Sequence, residues 1–206
     1  MATKDYPMKQ LLPCLLFILV FGTTAYADTR SLITQSTSTD CGPSALATLL
    51  QYYLEVPTTE TEMMRFSKYR SDTGTTLLGL EQAATSKGCA AGSFLMSYTT
   101  LKEQLAAFPA PVIVRTLNPE PHFSVLLSVD RDYVYLADPA TGNIVLRKEA
   151  FWKRWYVPQS AEGFVFIVAS PGQRVNIARV ARTVGALRQS LRNLESNRLW
   201  IVGFGH

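Results

Sequence analysis

The period of the apolar residues changes near the middle of the chain. Within residues 42–53, Leu46, Leu49, Leu50 and Tyr53 recur at spacings of three and four, which predicts a helix with one buried stripe. Asp40 stands ahead of that stripe where a cap belongs, so Cys41 falls at the helix start. Further helices are predicted over residues 60–68, 77–87 with Gly88 as the stop, and 100–108. Beyond Pro111 the helical spacing gives way to short runs rich in Val, Ile, Leu and aromatic residues, bounded by Pro, Gly, Asn and Asp. These runs, 111–116, 123–129, 133–137, 144–147 and 164–169, predict strands. Residues 148–156, with Phe151, Trp152 and Trp155, predict one more short helix. Helices first and an antiparallel sheet afterwards is an α+β organisation.

Both ends of the chain depart from this pattern. Lys4 and Lys9 precede a mostly apolar run from Leu11 through Phe21, and Ala25-Tyr26-Ala27 then supplies small residues two apart. That order predicts a secretory signal peptide over residues 1–27; an uncleaved anchor is the alternative, and the run is short for a membrane span. Cleavage would remove Cys14 and leave Cys41 and Cys89. At the other end Ile177, Val180, Val184, Leu187, Leu191 and Leu194 alternate spacings of three and four, among Arg179, Arg182, Arg188 and Arg192. An amphipathic helix needs a surface for its stripe: the body of the chain itself, a secretion-system protein partner, or, least favoured, an anionic membrane surface. Pro171-Gly172 marks the expected boundary between a body at 28–170 and a tail at 171–206 that is dispensable for chemistry.

Charge sharpens this division. The 206 residues carry a formal net charge of +4, yet residues 28–170 hold 12 Lys and Arg against 14 Asp and Glu. Residues 171–206 hold six Arg against one Glu. A near-neutral body with a basic tail does not predict a nucleic-acid partner. Hydrophobic residues make up 47% of the chain, ordinary for one globular core.

The candidate chemistry centres on a thiol. A cysteine reacts as thiolate, which a helix N-terminus and a nearby imidazole both favour. Of the two histidines, His206 is the last residue, so His122 at the head of a predicted strand is the available base. Asp138 follows it by sixteen positions, in Asp-Pro-Ala-Thr-Gly, where it fits both a turn and a partner for the imidazole. A structural Cys41–Cys89 disulfide is the competing use of the thiol. The scattered cysteines and histidine have no zinc-ligand spacing, so neither a metal nor another cofactor is expected.

Three motifs in this order carry a resemblance. Gln35 lies six residues before the Cys of Asp40-Cys41-Gly42, His122-Phe123 leads into Val125-Leu126-Leu127, and Asp138-Pro139 is followed by Gly142. Over roughly residues 31–170 the chain resembles the C39 family of papain-like cysteine peptidases, which cut leader peptides after a Gly-Gly pair. The resemblance implies N-terminal helices packed on an antiparallel sheet, here with a C-terminal amphipathic helix added, the Cys on a helix and the His on the sheet facing it. It also implies catalytic roles for Cys41, His122 and Asp138, an oxyanion hole formed by Gln35 with the Cys41 backbone N–H, and a polypeptide substrate. Pro43-Ser44 departs from the residues common in exporter-linked members. Without their membrane and ATPase segments, the chain is expected to be a stand-alone, periplasmic relative of the kind found in secretion loci, including those exporting functional amyloid (Fap-type) for biofilms. A silent peptide-binding module and a papain-like acyltransferase or amidase are the alternatives.

Overall fold

Eight residues from Cys41 to Thr48 form helix α1, and its axis continues through one π-helical stretch, Leu49–Tyr53. The computed structural model describes residues 31–202; the signal peptide expected over residues 1–27 lies outside them. Helices α2 (Glu60–Phe66), α3 (Leu77–Ser86), α4 (Tyr98–Ala107), α5 (Lys148–Trp155) and α6 (Ile177–Val202) follow. Strands β1 (Ala90–Ser97), β2 (Val112–Thr116), β3 (His122–Val129), β4 (Tyr133–Asp138), β5 (Gly142–Arg147) and β6 (Glu162–Ala169) make one antiparallel sheet in the order β1-β6-β2-β3-β4-β5.

The alternation of side chains along the strands builds two cores. Ile113, Phe123, Val125, Tyr135 and Ala137 meet Leu46, Leu49 and Leu50 of the first helix, Met63 of α2 and Leu80 of α3. Val114, Leu126, Val134 and Leu136 point the other way, against Leu101 of α4 and Phe151 and Trp155 of α5. The α+β class is as the sequence predicts, but the sheet is covered on both faces and a strand intervenes among the helices. That strand, β1, gave no sequence signal. Its residues AAGSFLMS lack β-branched side chains and do not alternate; an eight-pair register with β6 holds it at the sheet edge.

The cap ascribed to Asp40 is not formed. Asp40 occupies the N-cap position, but its side chain makes no bond to the helix. Its carboxylate instead accepts from the amides of Ser36 (3.1 Å) and Thr37 (3.0 Å) and from the Ser36 hydroxyl (3.2 Å). Asp40 is fully buried, and a buried carboxylate must be bonded; folding back satisfies the Thr37 amide and shares the Ser36 amide with Glu60.

The amphipathic tail docks on the chain's own body. Val180 and Val184 are part of the first core, the Asn176 amide donates to the Tyr53 carbonyl (2.7 Å), and Arg188 donates to the Tyr135 hydroxyl (3.3 Å). Farther along, the stripe emerges: Leu194 is 63% exposed. Among the described residues no helix is long and apolar enough to cross a membrane.

Candidate active site

Cys41 is the first residue of α1, where the first-turn amides have no intrahelical acceptor and the helix dipole is positive. The helix start is pressed onto the sheet, since a Cβ on Gly42 would come within 2.5 Å of Thr75 Cγ2 and 3.2 Å of the Phe123 ring. Glycine is therefore the residue that lets the thiol approach the head of β3. His122 opens that strand. The antiparallel register, Val125 opposite Ala137, brings His122 and Ser124 to the Asp138 end of β4.

Asp138 divides its two oxygens between the imidazole and the hairpin. Oδ2 lies 2.7 Å from His122 Nε2 and accepts the Ser124 hydroxyl at 2.6 Å. Oδ1 accepts the Ala140 and Thr141 amides, both at 2.9 Å, and the Thr141 hydroxyl at 3.0 Å, and so shapes the β4–β5 hairpin. The second ring nitrogen of His122 is not held by Asp138, and Cys41 is near enough to act on the ring electrostatically. Burial alone would lower the imidazole's pKa, but the bond to Asp138 and the nearby Cys41 outweigh it and push the value up to about 9. Burial likewise opposes ionisation of Asp138; the bonds from His122 and Ser124 prevail and hold its carboxyl well below the usual range. His122 and Asp138 are thus bonded, with Cys41 at the helix start acting on the same ring.

Gln35 is brought beside this group but is directed elsewhere. Its backbone N–H donates to the Pro139 carbonyl (3.0 Å), next to Asp138, while its side-chain Nε2 donates to Thr37 O (2.6 Å). Its Oε1 is buried with no hydrogen-bond partner. Cys89 stands apart from the group. It is buried, burial pushes its thiol pKa up, and both Cys89 and Cys41 are free rather than bridged.

A cleft runs past the group on both sides. A cavity of about 550 Å³ on the His122 side reaches Leu136, Ile144 and Arg154. A second, of about 300 Å³, holds Cys41 between Thr39 and the Thr73–Thr75 loop. Ser38, Glu120 and Pro121 border both. Ser124, Ser38 and Arg115, a further lining residue of the smaller cavity, were not singled out from sequence. Ser124 alone left a signal there, being two residues along the strand from His122 and hence on the same face.

The family model of the peptidase C39 family matches residues 29–158, a span that contains all four of these positions. The chain belongs to this family. It is 37% identical over 134 residues to an uncharacterized protein of Methanothermobacter marburgensis, covering 65% of this chain and 89% of that one. It is also 29% identical over 150 residues to a probable functional amyloid protease, FapD, of Pseudomonas fluorescens, covering 69% of this chain and 62% of that protein. Among solved structures, the peptidase domain of the Streptococcus bifunctional ABC transporter ComA superposes with a TM-score of 0.59 at 23% identity, over 68% of this C39 chain and 98% of that domain. A double-glycine-motif protease from an AMS/PCAT transporter, solved with its leader peptide, gives 0.56 at 24% identity, over 66% and 89%. At those identities the likeness establishes the C39 papain-like fold.

Proposed function

We propose that this C39 member is an exported cysteine peptidase that cuts a polypeptide after a Gly-Gly-like site. The observation that carries the reading is the bonded pair His122–Asp138 set beside Cys41 at the start of α1, with the imidazole pKa pushed up by Asp138 and Cys41. A thiolate beside an imidazolium is the reactive form of a thiol nucleophile. Cys41 Sγ attacks the scissile carbonyl carbon to form a tetrahedral oxyanion, which collapses to the thioester as the C–N bond breaks and His122 gives its proton to the departing amine. Water, deprotonated by the same ring, then cleaves the thioester and releases the acid. Asp138 keeps the ring in the tautomer that presents its other nitrogen to the thiol.

The tetrahedral oxyanion requires donors. The Cys41 backbone N–H is one of the helix's unsatisfied amides, and the Gln35 amide nitrogen has a second N–H beyond the one held by Thr37. The narrowness of the smaller cavity supports glycines as substrate residues. Gly74, in the left-handed region at φ 72°, backs directly onto the Thr39 carbonyl and leaves a trough between two backbones. The similarity to FapD supports the processing of a secreted amyloid protein as the physiological role.

Incubation of the mature chain with a Gly-Gly peptide, with and without an amine acceptor, tests the activity. Cleavage to the free acid that disappears in Cys41→Ala is the expected result. Transfer to the acceptor alone would make it an acyltransferase, and binding without turnover a leader-holding module. A thiol-alkylating reagent at neutral pH should label Cys41 in preference to Cys89.

A further inference from the structure

Arg115 of β2 is a cation without an anion. Its guanidinium lies 5.7 Å from the centre of the Phe123 ring and 5.8 Å from that of Phe164, its cross-strand neighbours on either side. Its Nε is buried with no hydrogen-bond partner, and among the described residues no carboxylate pairs with it. Two acids line the same cavity. Asp72 is engaged by the Arg70 guanidinium through two bonds, 3.1 and 3.0 Å, and Glu120 makes no bond to Arg115. The cavity they share is the one that holds Cys41.

Position in the cleft tells which part of a substrate meets this group. The departing amine must meet the proton on His122, so the chain that follows the cut bond lies on the His122 side, over the larger cavity. The acyl portion, before the cut bond, lies on the Cys41 side, in the cavity lined by Arg115. A planar guanidinium held between two rings has lost much of its rotamer freedom already, so a planar anion meets it at reduced entropic cost. Within a polypeptide, the anion that matches such a fork is a carboxylate.

We infer that Arg115 determines specificity on the acyl side of the cleft, by receiving an Asp or Glu side chain that lies N-terminal to the cleaved bond. This inference rests on the peptidase reading for its direction, and its test separates the two. The Cys41→Ala variant of the full chain is titrated, by fluorescence anisotropy, against decapeptides that share a Gly-Gly pair and carry Glu, Gln or Lys at each position before it.

At one position the Glu peptide should bind about five- to tenfold more tightly than the Gln peptide, with Lys weakest and the spread narrowing as salt rises. Arg115→Gln should erase the Glu preference; Arg115→Lys should keep part of it, since charge remains without the fork. Equal binding of Glu and Gln peptides at every position overturns the inference, as does a Glu preference that survives Arg115→Gln. The wild-type residue at 115 supplies the first comparison, so a poorly folding substitution does not blunt the test. A Glu preference in a chain that cuts no peptide refutes the peptidase reading and leaves the Arg115 subsite standing. Cleavage with no charge preference does the reverse.

Discussion

At the scale of single residues, the imidazole of His122 controls how the site responds to pH. Its pKa of about 9 means that the protonated ring, which has to give its proton to the departing amine, is lost as pH rises through that value. The kcat/KM for a Gly-Gly peptide should therefore fall on the alkaline side near pH 9. Asp138→Asn removes the carboxylate that raises the pKa, and should move that limb down toward the ordinary histidine value of about 6.5; an unmoved limb would contradict the assigned pairing. Stability follows the same sign. A raised imidazole contributes fully below about pH 6.5 and loses its contribution as pH rises through about 9, so melting temperatures of wild type and His122→Ala should differ most in mild acid and converge in base. The lowered Asp138 works in the opposite direction, its contribution present above about pH 3.9 and lost on acidification. Ser124→Ala removes one of two donors to Asp138 Oδ2, at a cost of about 1–2 kcal/mol, and should lower kcat several-fold with little change in KM. The three residues that the fold gathers at the candidate site could be named from residue types and order, because a lone internal histidine and a cysteine at a helix start leave few combinations. The directions of side chains could not: Gln35 turns to Thr37 and Asp40 to Ser36 because each satisfies a nearby backbone group that only the folded loop creates.

Among the elements, the junction of α1 with β3 sets the distance between thiol and imidazole. Gly42→Ala would place a methyl against Thr75 Cγ2, displacing the helix start and costing about 1–3 kcal/mol. Activity should fall further than stability does, since the displaced residue adjoins Cys41. Adding Thr75→Ser deletes the obstructing methyl while retaining the hydroxyl that bonds Ser67 O, so the double variant should regain part of both losses; strict additivity in activity assays and melts would refute the steric account. The helices and five of the strands were legible because their apolar periods match the faces they bury. The edge strand β1 was illegible because its pairing with β6, not its own composition, makes it a strand.

On the scale of the whole molecule, α6 is a structural part of the body. Truncation after Ser170 removes Val180 and Val184 from the first core, and at about 1.5–3 kcal/mol for each side chain this is a large share of a typical stability of 5–15 kcal/mol. That chain should melt at a much lower temperature or fail to fold, contrary to the dispensable tail that the Pro171-Gly172 boundary predicts. Truncation after Leu191 removes the exposed residues 192–196 and the Tyr133–Glu195 bond, and should leave the melting temperature nearly unchanged. Differential scanning calorimetry of the two chains would decide between a fused and a separable helix. By itself the sequence determined the α+β class, the C39 family, the order of the candidate residues Cys41, His122 and Asp138, and the existence of an amphipathic last helix, since each is written in local period or in motif order. Tertiary structure alone decided which surface that helix covers, that both faces of the sheet are buried, how Asp138 splits its oxygens, and that Arg115, among the described residues, has no carboxylate partner in the cavity that holds Cys41. These are relations between residues far apart in the chain, and packing geometry, not local pattern, sets them.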